Sequence, residues 1–342
     1  MAQCARLVEV GFDTDLQVGP QSPPSPGAGD VLVRVDACGV CHRDLIDRSG
    51  RFAWLSTPVI PGHEAAGTVI EVGGDVDTWV PGDRVATLHR DRCGACEACA
   101  AGQDSLCVGA TGVFGLMVDG GYARYLIARP TGLYRLPDGM SPVDAAPLHC
   151  TFGTAWRGLV RQAQVRAGQR VLITGANGGV GLAAVQVAVR LGATVVAVVR
   201  DADAVERVRR QGAAAVIVSD DARFYRQLDA PVHAVLDCVG TPTFNGSLRS
   251  LGMGGRLVVV GNVTEERASV NLGFCIVRGL TVIGSSGATG ADMAELLALH
   301  ASRPLDLEAH REAVLPLEQA DAAQRMVRAG GRRGRLVLDC RG

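Results

Sequence analysis

The stretch Arg170-Val171-Leu172-Ile173-Thr174-Gly175-Ala176-Asn177-Gly178-Gly179-Val180-Gly181 decides the fold of this chain. A short β-rich run gives way to a glycine-rich turn, and the apolar stretch Val180–Leu191 that follows has helix composition. Glycines between a buried strand and a helix let the backbone turn tightly and approach a pyrophosphate, whose charge then rests on the helix N-terminus. Alone, a glycine run is weak; its place between strand and helix gives it meaning. The first glycine of the dinucleotide fingerprint would fall at position 176, where this chain has Ala176, with Gly175 before it.

Outward from this turn, strands alternate with helical stretches. The strands are expected at Arg170–Thr174, Thr194–Val199, Ala215–Val218, Val232–Asp237, Arg256–Val260 and Leu280–Ile283, with helices at Val180–Leu191, Ala202–Gln211 and Thr243–Leu251. Short apolar strands joined by helices imply a doubly wound parallel sheet, of α/β class. An acidic residue at the end of the second strand would hold the ribose hydroxyls of NAD; Arg200 stands there, followed by Asp201, and an arginine favours the 2′-phosphate of NADPH, with NADH possible through Asp201.

Residues 1–150 read differently, as short strands at Val31–Ala37, Ala66–Val72 and Tyr122–Ile127 separated by turns such as Pro81-Gly82-Asp83 and Gly120-Gly121. This is the pattern of an irregular β-barrel. The tail holds helices at Asp292–Ala301 and Gln319–Ala329 and a closing strand Gly334–Leu338, and is expected to return to the first domain. The expected division is 1–150 with 291–342 as one domain and 151–290 as the other.

Cys93, Cys96, Cys99 and Cys107 stand in the spacing C-x2-C-x2-C-x7-C within a lobe at about 90–110. Four thiolates close a tetrahedron around Zn²⁺, which makes this a structural site. A second, scattered set comprises Cys41, His63 with Glu64, and Cys150; two thiolates and an imidazole leave a fourth position open for water or substrate. Asp44 is the expected acceptor for the outer nitrogen of His63.

Composition narrows the function. A net charge of −1 with no basic stripe argues against a nucleic-acid partner. All 34 cationic residues are arginines, so Schiff-base chemistry through a lysine is excluded. The first fifteen residues hold Glu9, Asp13 and Asp15 and no apolar signal core, and Val171–Val189 is broken by Asn177, Gln186 and glycines, so neither secretion nor a membrane span is expected. The eleven cysteines then suit metal ligation in a reducing cytoplasm. Cys38 and Cys238 read as small buried hydrophobes, His149 as a packed histidine, and His89, His233, His300 and His310 as structural.

With both cysteine sets and the nucleotide loop in this order, the chain resembles the zinc-containing medium-chain dehydrogenases of the alcohol dehydrogenase superfamily over nearly its whole length. Asp237-Cys238-Val239-Gly240-Thr241-Pro242-Thr243-Phe244, Met253-Gly254-Gly255-Arg256 and Gly261-Asn262-Val263 are similar to the acryloyl-CoA reductase branch, and Gly178-Gly179-Val180-Gly181 to quinone oxidoreductases. The resemblance implies a GroES-like catalytic barrel beside a Rossmann domain and a homodimer or homotetramer, with Leu280–Ile283 at the sheet edge able to pair with its copy. It also implies that Cys41 rather than Cys38, with His63 and Cys150, holds the catalytic zinc, that Glu64 lies behind it, that His42 meets the cofactor pyrophosphate and that Thr154 packs near the nicotinamide.

Two positions depart from the alcohol dehydrogenase pattern. Where those enzymes carry a hydroxyl residue and often a histidine to pass the alcohol proton outward, this chain has Arg43 and Ile46. Hydride reduction of a carbonyl needs that proton route; reduction of a conjugated C=C bond places hydride on the β carbon and protonates the α carbon, and does not. Arg43 would instead attract phosphates of a coenzyme A thioester or of NADPH, or pair with Asp47. The leading expectation is an NADPH-dependent C=C reductase with two zinc ions per chain. The alternatives are a zinc alcohol dehydrogenase and, in another class, a nucleotide-binding protein without turnover.

Overall fold

A computed structural model describes residues 2–264, 266–331 and 334–342. The chain divides into two compact units. One runs to Cys150 and takes in Thr289–Ala294 and Leu307–Gly342; the other is Thr151–Ala288 with Glu295–Asp306.

The first unit begins with β1 (Gln3–Arg6), β2 (Gln17–Pro20), β3 (Val31–Val40), β4 (Glu64–Val72), β5 (Arg84–Thr87), β6 (Tyr125–Ala128) and β7 (Leu133–Arg135). The ten-residue β3 buries every residue but Arg34 and Asp36, and it becomes the spine, pairing antiparallel with β4 and β6. Two register shifts against β4, at Leu32/Val33 and Val35/Ala37, bend it and curl the sheet. The core gathers Val31, Val33, Val35, Val69, Val85, Leu126 and Leu338.

The second unit contributes β8 (Arg170–Ile173), β9 (Thr194–Val199), β10 (Ala215–Val218), β11 (Val232–Asp237), β12 (Leu251–Val259) and β13 (Thr281–Gly284). All pairs are parallel, in the order β10-β9-β8-β11-β12-β13. Strand order reverses between β8 and β11, which is where open α/β sheets bind ligands beyond the carboxyl ends of their strands. The helices Gly179–Arg190, Val205–Arg210 and Thr241–Ser250 join the strands. The chain then closes the first unit's sheet with β14 (Arg311–Pro316) and β15 (Arg335–Asp339), the latter antiparallel to β3.

Three expected elements differ. The strand expected from Tyr122 starts at Tyr125, because the Gly120, Gly121 and Tyr122 amides donate instead to the carbonyls of Ile60, Gly62 and Pro61. The strand expected from Arg256 starts at Leu251, with residues 252–255 accommodated where Val232 pairs Leu251 and Ala234 pairs Arg256. The helix expected from Ala202 opens as a 3-10 turn, Ala202–Ala204. No helix among the described residues is long and apolar enough to cross a membrane.

Candidate active site

Cys41 ends the β3 connection as N-cap of the helix His42–Arg48, in extended conformation. Its amide donates to Asp44 Oδ2 (2.8 Å), while the Arg43 amide donates to Cys41 Sγ (3.4 Å). Asp44 therefore caps the helix, and its other oxygen pairs with His63 Nδ1 at 2.9 Å, as expected for the second acceptor of a ligand histidine. The Tyr122 hydroxyl also donates to Asp44 Oδ2, at 2.9 Å. With Nδ1 engaged, Nε2 of His63 is the ring nitrogen left for a metal.

Glu64 opens β4 and is fully buried. It fits because its neighbour across β3 is Gly39: a Cβ there would lie 2.0 Å from Glu64 Oε2. Arg335 Nη2 donates to Oε1 at 2.6 Å, and Oε2 has no hydrogen-bond partner among the described residues. An orphaned buried carboxylate oxygen calls for a cation or water. Cys150 Sγ lies 3.6 Å from Cys41 Sγ, and the ligand atoms of Cys41, His63, Glu64 and Cys150 all fall within 4.8 Å of one another. Tetrahedral zinc with Zn–S of about 2.3 Å asks for sulfur separations of about 3.8 Å, so the donor set fits Zn²⁺.

The electrostatics agree. The hydrogen bond from Cys150 holds the Cys41 thiol well below its ordinary pKa, and the same contact with burial pushes Cys150 well above. Burial raises Glu64 to about 8 against the pull of Arg335. Burial disfavours charge on His63, but Asp44 beside it prevails and raises its pKa well above the usual range. Packed this closely, the acidic groups keep their protons on Cys150 and Glu64 while Cys41 gives its up, and a cation among them would let the others ionise.

Arg43 is held by Asp47, Nε to Oδ1 at 2.6 Å, with its guanidinium 5.0 Å over the Phe52 ring. Burial lifts Asp47 to about 6, Arg43 opposing. His42 is exposed on the first turn of the helix and Ile46 is half-buried. His89, which the sequence suggested was only structural, stacks on His149 with centroids 5.4 Å apart. Burial and then His149, with His63 and Arg43 adding, holds His89 well below the ordinary histidine pKa. Tyr122 through Asp44, Arg335 through Glu64 and His89 through His149 thus connect to the candidate ligand set, and none was legible as such: each contact joins residues far apart in sequence.

The four-cysteine lobe is built locally. Sγ separations are 3.6 Å (Cys96–Cys99), 3.8 Å (Cys96–Cys107) and 3.4 Å (Cys93–Cys107), again the spacing tetrahedral zinc requires. Backbone amides of Cys99 and Val108 bring Cys96 down to about 6. At its base Asp91 accepts from the amides of Thr111 and Gly112 and from the Thr111 hydroxyl.

In the second unit, Gly175 turns the chain with φ +58°, in the left-handed region. Gly178 is N-cap of Gly179–Arg190, whose first residues are Gly179, Val180 and Gly181. A Cβ on Gly181 would lie 2.1 Å from the Gly175 carbonyl oxygen, so only glycine permits this close turn. The fully buried Asp237, at the end of β11, accepts from the hydroxyls of Thr174, Thr243 and Ser247 and the amides of Val239 and Gly240. It thereby fixes the ends of β8 and β11 that flank the switch point. Arg207 reaches back to Asn177 Oδ1 at 2.9 Å. Arg200 and Asp201 are both exposed, with Arg200 Nε 3.5 Å from Asp201 Oδ2. Thr154 is half-buried in the helical run after Cys150. Cys38 is buried and Cys238 half-buried.

Residues 27–138 match the alcohol dehydrogenase GroES-like domain and residues 179–302 the zinc-binding dehydrogenase family. The chain is 34% identical to an acryloyl-coenzyme A reductase of Sulfurisphaera tokodaii, over 92% of this chain and 93% of that one. It is 35% identical to an alcohol dehydrogenase of Geobacillus stearothermophilus, over 96% and 97%. The crystal structure of AibC superposes with a TM-score of 0.90 at 40% identity, covering 99% of this chain and 95% of that one.

Proposed function

Because the chain belongs to the zinc-binding dehydrogenases with a GroES-like domain, in the medium-chain dehydrogenase/reductase superfamily, it is a zinc-containing NAD(P)-dependent oxidoreductase, and we propose that it uses NADPH to reduce a C=C bond conjugated to a carbonyl or thioester. The observation that carries this reading is the Arg43–Asp47 ion pair. A guanidinium locked to a carboxylate stands where a hydroxyl would pass an alcohol's proton, and Ile46 offers no proton at the next position. Similarity to an acryloyl-coenzyme A reductase supports the thioester.

Cys41, His63 and Cys150 would hold the catalytic zinc with Glu64 behind it, and Cys93, Cys96, Cys99 and Cys107 the structural one, two ions per chain. When bound, zinc supplies a Lewis acid and the nicotinamide a hydride. Asp44 keeps His63 in the tautomer that ligates, and Tyr122 keeps Asp44 in place. Arg335 balances the charge of Glu64. Within the second unit the turn Gly175 to Gly181 would receive the cofactor pyrophosphate, Arg200 its 2′-phosphate, and Thr154 would pack near its nicotinamide; the pyrophosphate role of His42 rests on the family pattern.

The edge strand β13, with the exposed Leu272, Ile276 and Val277 of the preceding helix, supports pairing with a second copy as a homodimer or homotetramer. A monomeric mass in solution would refute that. Thiols of this number suit the cytoplasm.

A second reading, a zinc alcohol dehydrogenase, is favoured by the complete ligand set and the similarity to the Geobacillus stearothermophilus enzyme. Following NADPH absorbance with crotonyl-type thioesters, simple enones and saturated aldehydes in parallel separates the two. Oxidation restricted to the conjugated acceptors is expected; oxidation with saturated aldehydes would favour the second reading.

A further inference from the structure

The helix that starts at Cys41 leads into a turn, Phe52 to Leu55, closed by the Leu55 amide on the Phe52 carbonyl at 3.0 Å. The turn is tied at both ends: the Gly50 amide donates to Asp47 O and the Ser56 amide to Leu116 O. Three planar groups stack along it. The Arg43 guanidinium lies 5.0 Å from the Phe52 centroid, and the Phe52 and Trp54 rings are 5.9 Å apart at 22°. Arg43 is itself fixed by Asp47. The stack therefore starts two residues from Cys41 and ends in solvent.

Of the three tryptophans, Trp79 and Trp156 are 8% and 7% exposed, whereas Trp54 is 64% exposed. An indole backed by a phenyl ring and largely exposed is a stacking surface partly ordered in advance of binding. A flat, exposed π face suits the base of a nucleotide.

We propose that Trp54 stacks the adenine of a coenzyme A thioester, so that this turn recognises the nucleotide end of the acyl donor. The proposal rests on the thioester reading above and deepens it. Arg43, paired with Asp47, serves as the inner layer of the stack.

The test compares a crotonyl-coenzyme A thioester with the crotonyl thioester of N-acetylcysteamine, which carries the same acyl group and no nucleotide. In Trp54→Ala, the ratio of kcat/KM for the full thioester to that for the truncated one should fall about tenfold, within the range of about fivefold to a hundredfold that base stacking gives. Trp54→Phe should recover most of it. Calorimetry of free coenzyme A with NADP⁺-saturated enzyme removes the other adenine site from the measurement, and binding there should weaken about tenfold in Trp54→Ala. An unchanged ratio, or equal losses for both thioesters, would overturn the platform. A wild-type enzyme that reduces enones or aldehydes but neither thioester, and does not bind coenzyme A, would overturn the thioester reading and the platform with it. Thioester reduction with an unchanged ratio would overturn the platform alone.

Discussion

The two thiolate clusters make opposite use of the chain. Cys93, Cys96, Cys99 and Cys107 come from one short loop, and Cys93 is exposed while Cys96 and Cys99 are half-buried. Cys41, His63, Glu64 and Cys150 come from three separate segments, with all but Cys150 buried. The local cluster needs only its own turns to assemble. The dispersed one depends on the β3–β4 pairing that sets Gly39 against Glu64, and on β15 bringing Arg335 to the same carboxylate. A metal in the first can hold a lobe; a metal in the second borrows a rigidity that the sheet already has, which leaves it available for chemistry.

That contrast can be broken by mutation. Cys150→Ser should show the largest effect, a loss of activity of about three orders of magnitude, because several kcal/mol of Lewis-acid stabilisation go with the ion. Metal analysis should find one zinc per chain in place of the two expected for the unaltered protein, with the melting curve nearly unmoved. Cys96→Ser should do the reverse: the same drop in zinc content, stability lower by several kcal/mol in a denaturant titration, and turnover retained by the protein still folded. Equal melting curves for the two variants would remove the distinction between the clusters.

Smaller changes sharpen it. Asp44→Asn keeps the shape of the carboxylate but weakens its grip on His63, and should lower catalytic zinc affinity or activity about tenfold to a hundredfold, measured by competition with a chelator. Tyr122→Phe removes one hydrogen bond to the same carboxylate and should destabilise the protein by about 1.5 to 3 kcal/mol, with zinc affinity lowered less than in Asp44→Asn. A Tyr122→Phe effect on stability alone would confine that hydroxyl to the barrel core.

How far the molecule could be read from its sequence follows the same division. The strand, glycine turn and helix around Gly175–Gly181 are contiguous, so periodicity and glycine spacing suffice, as does spacing for the four-cysteine loop. The dispersed ligands carry no spacing, and preferring Cys41 to Cys38 took a family pattern; the fold then places Cys38 in the core and Cys41 at the helix N-cap. Tyr122, Arg335 and His89 gave no signal, because each touches a residue distant in sequence, Asp44, Glu64 and His149 respectively. Tyr122 in particular looked like the start of a strand, and its amide is bonded instead to Pro61 beside the His63 loop.

The most direct test offers both reactions in one molecule. A conjugated enal supplied with NADPH can lose either its C=C or its C=O bond, and the products are resolved by gas chromatography. A saturated aldehyde is expected, since Arg43, paired with Asp47, and Ile46 stand where the alcohol dehydrogenase pattern passes the alcohol's proton outward. An allylic alcohol with the double bond intact would contradict this account and return the enzyme to the alcohol dehydrogenases.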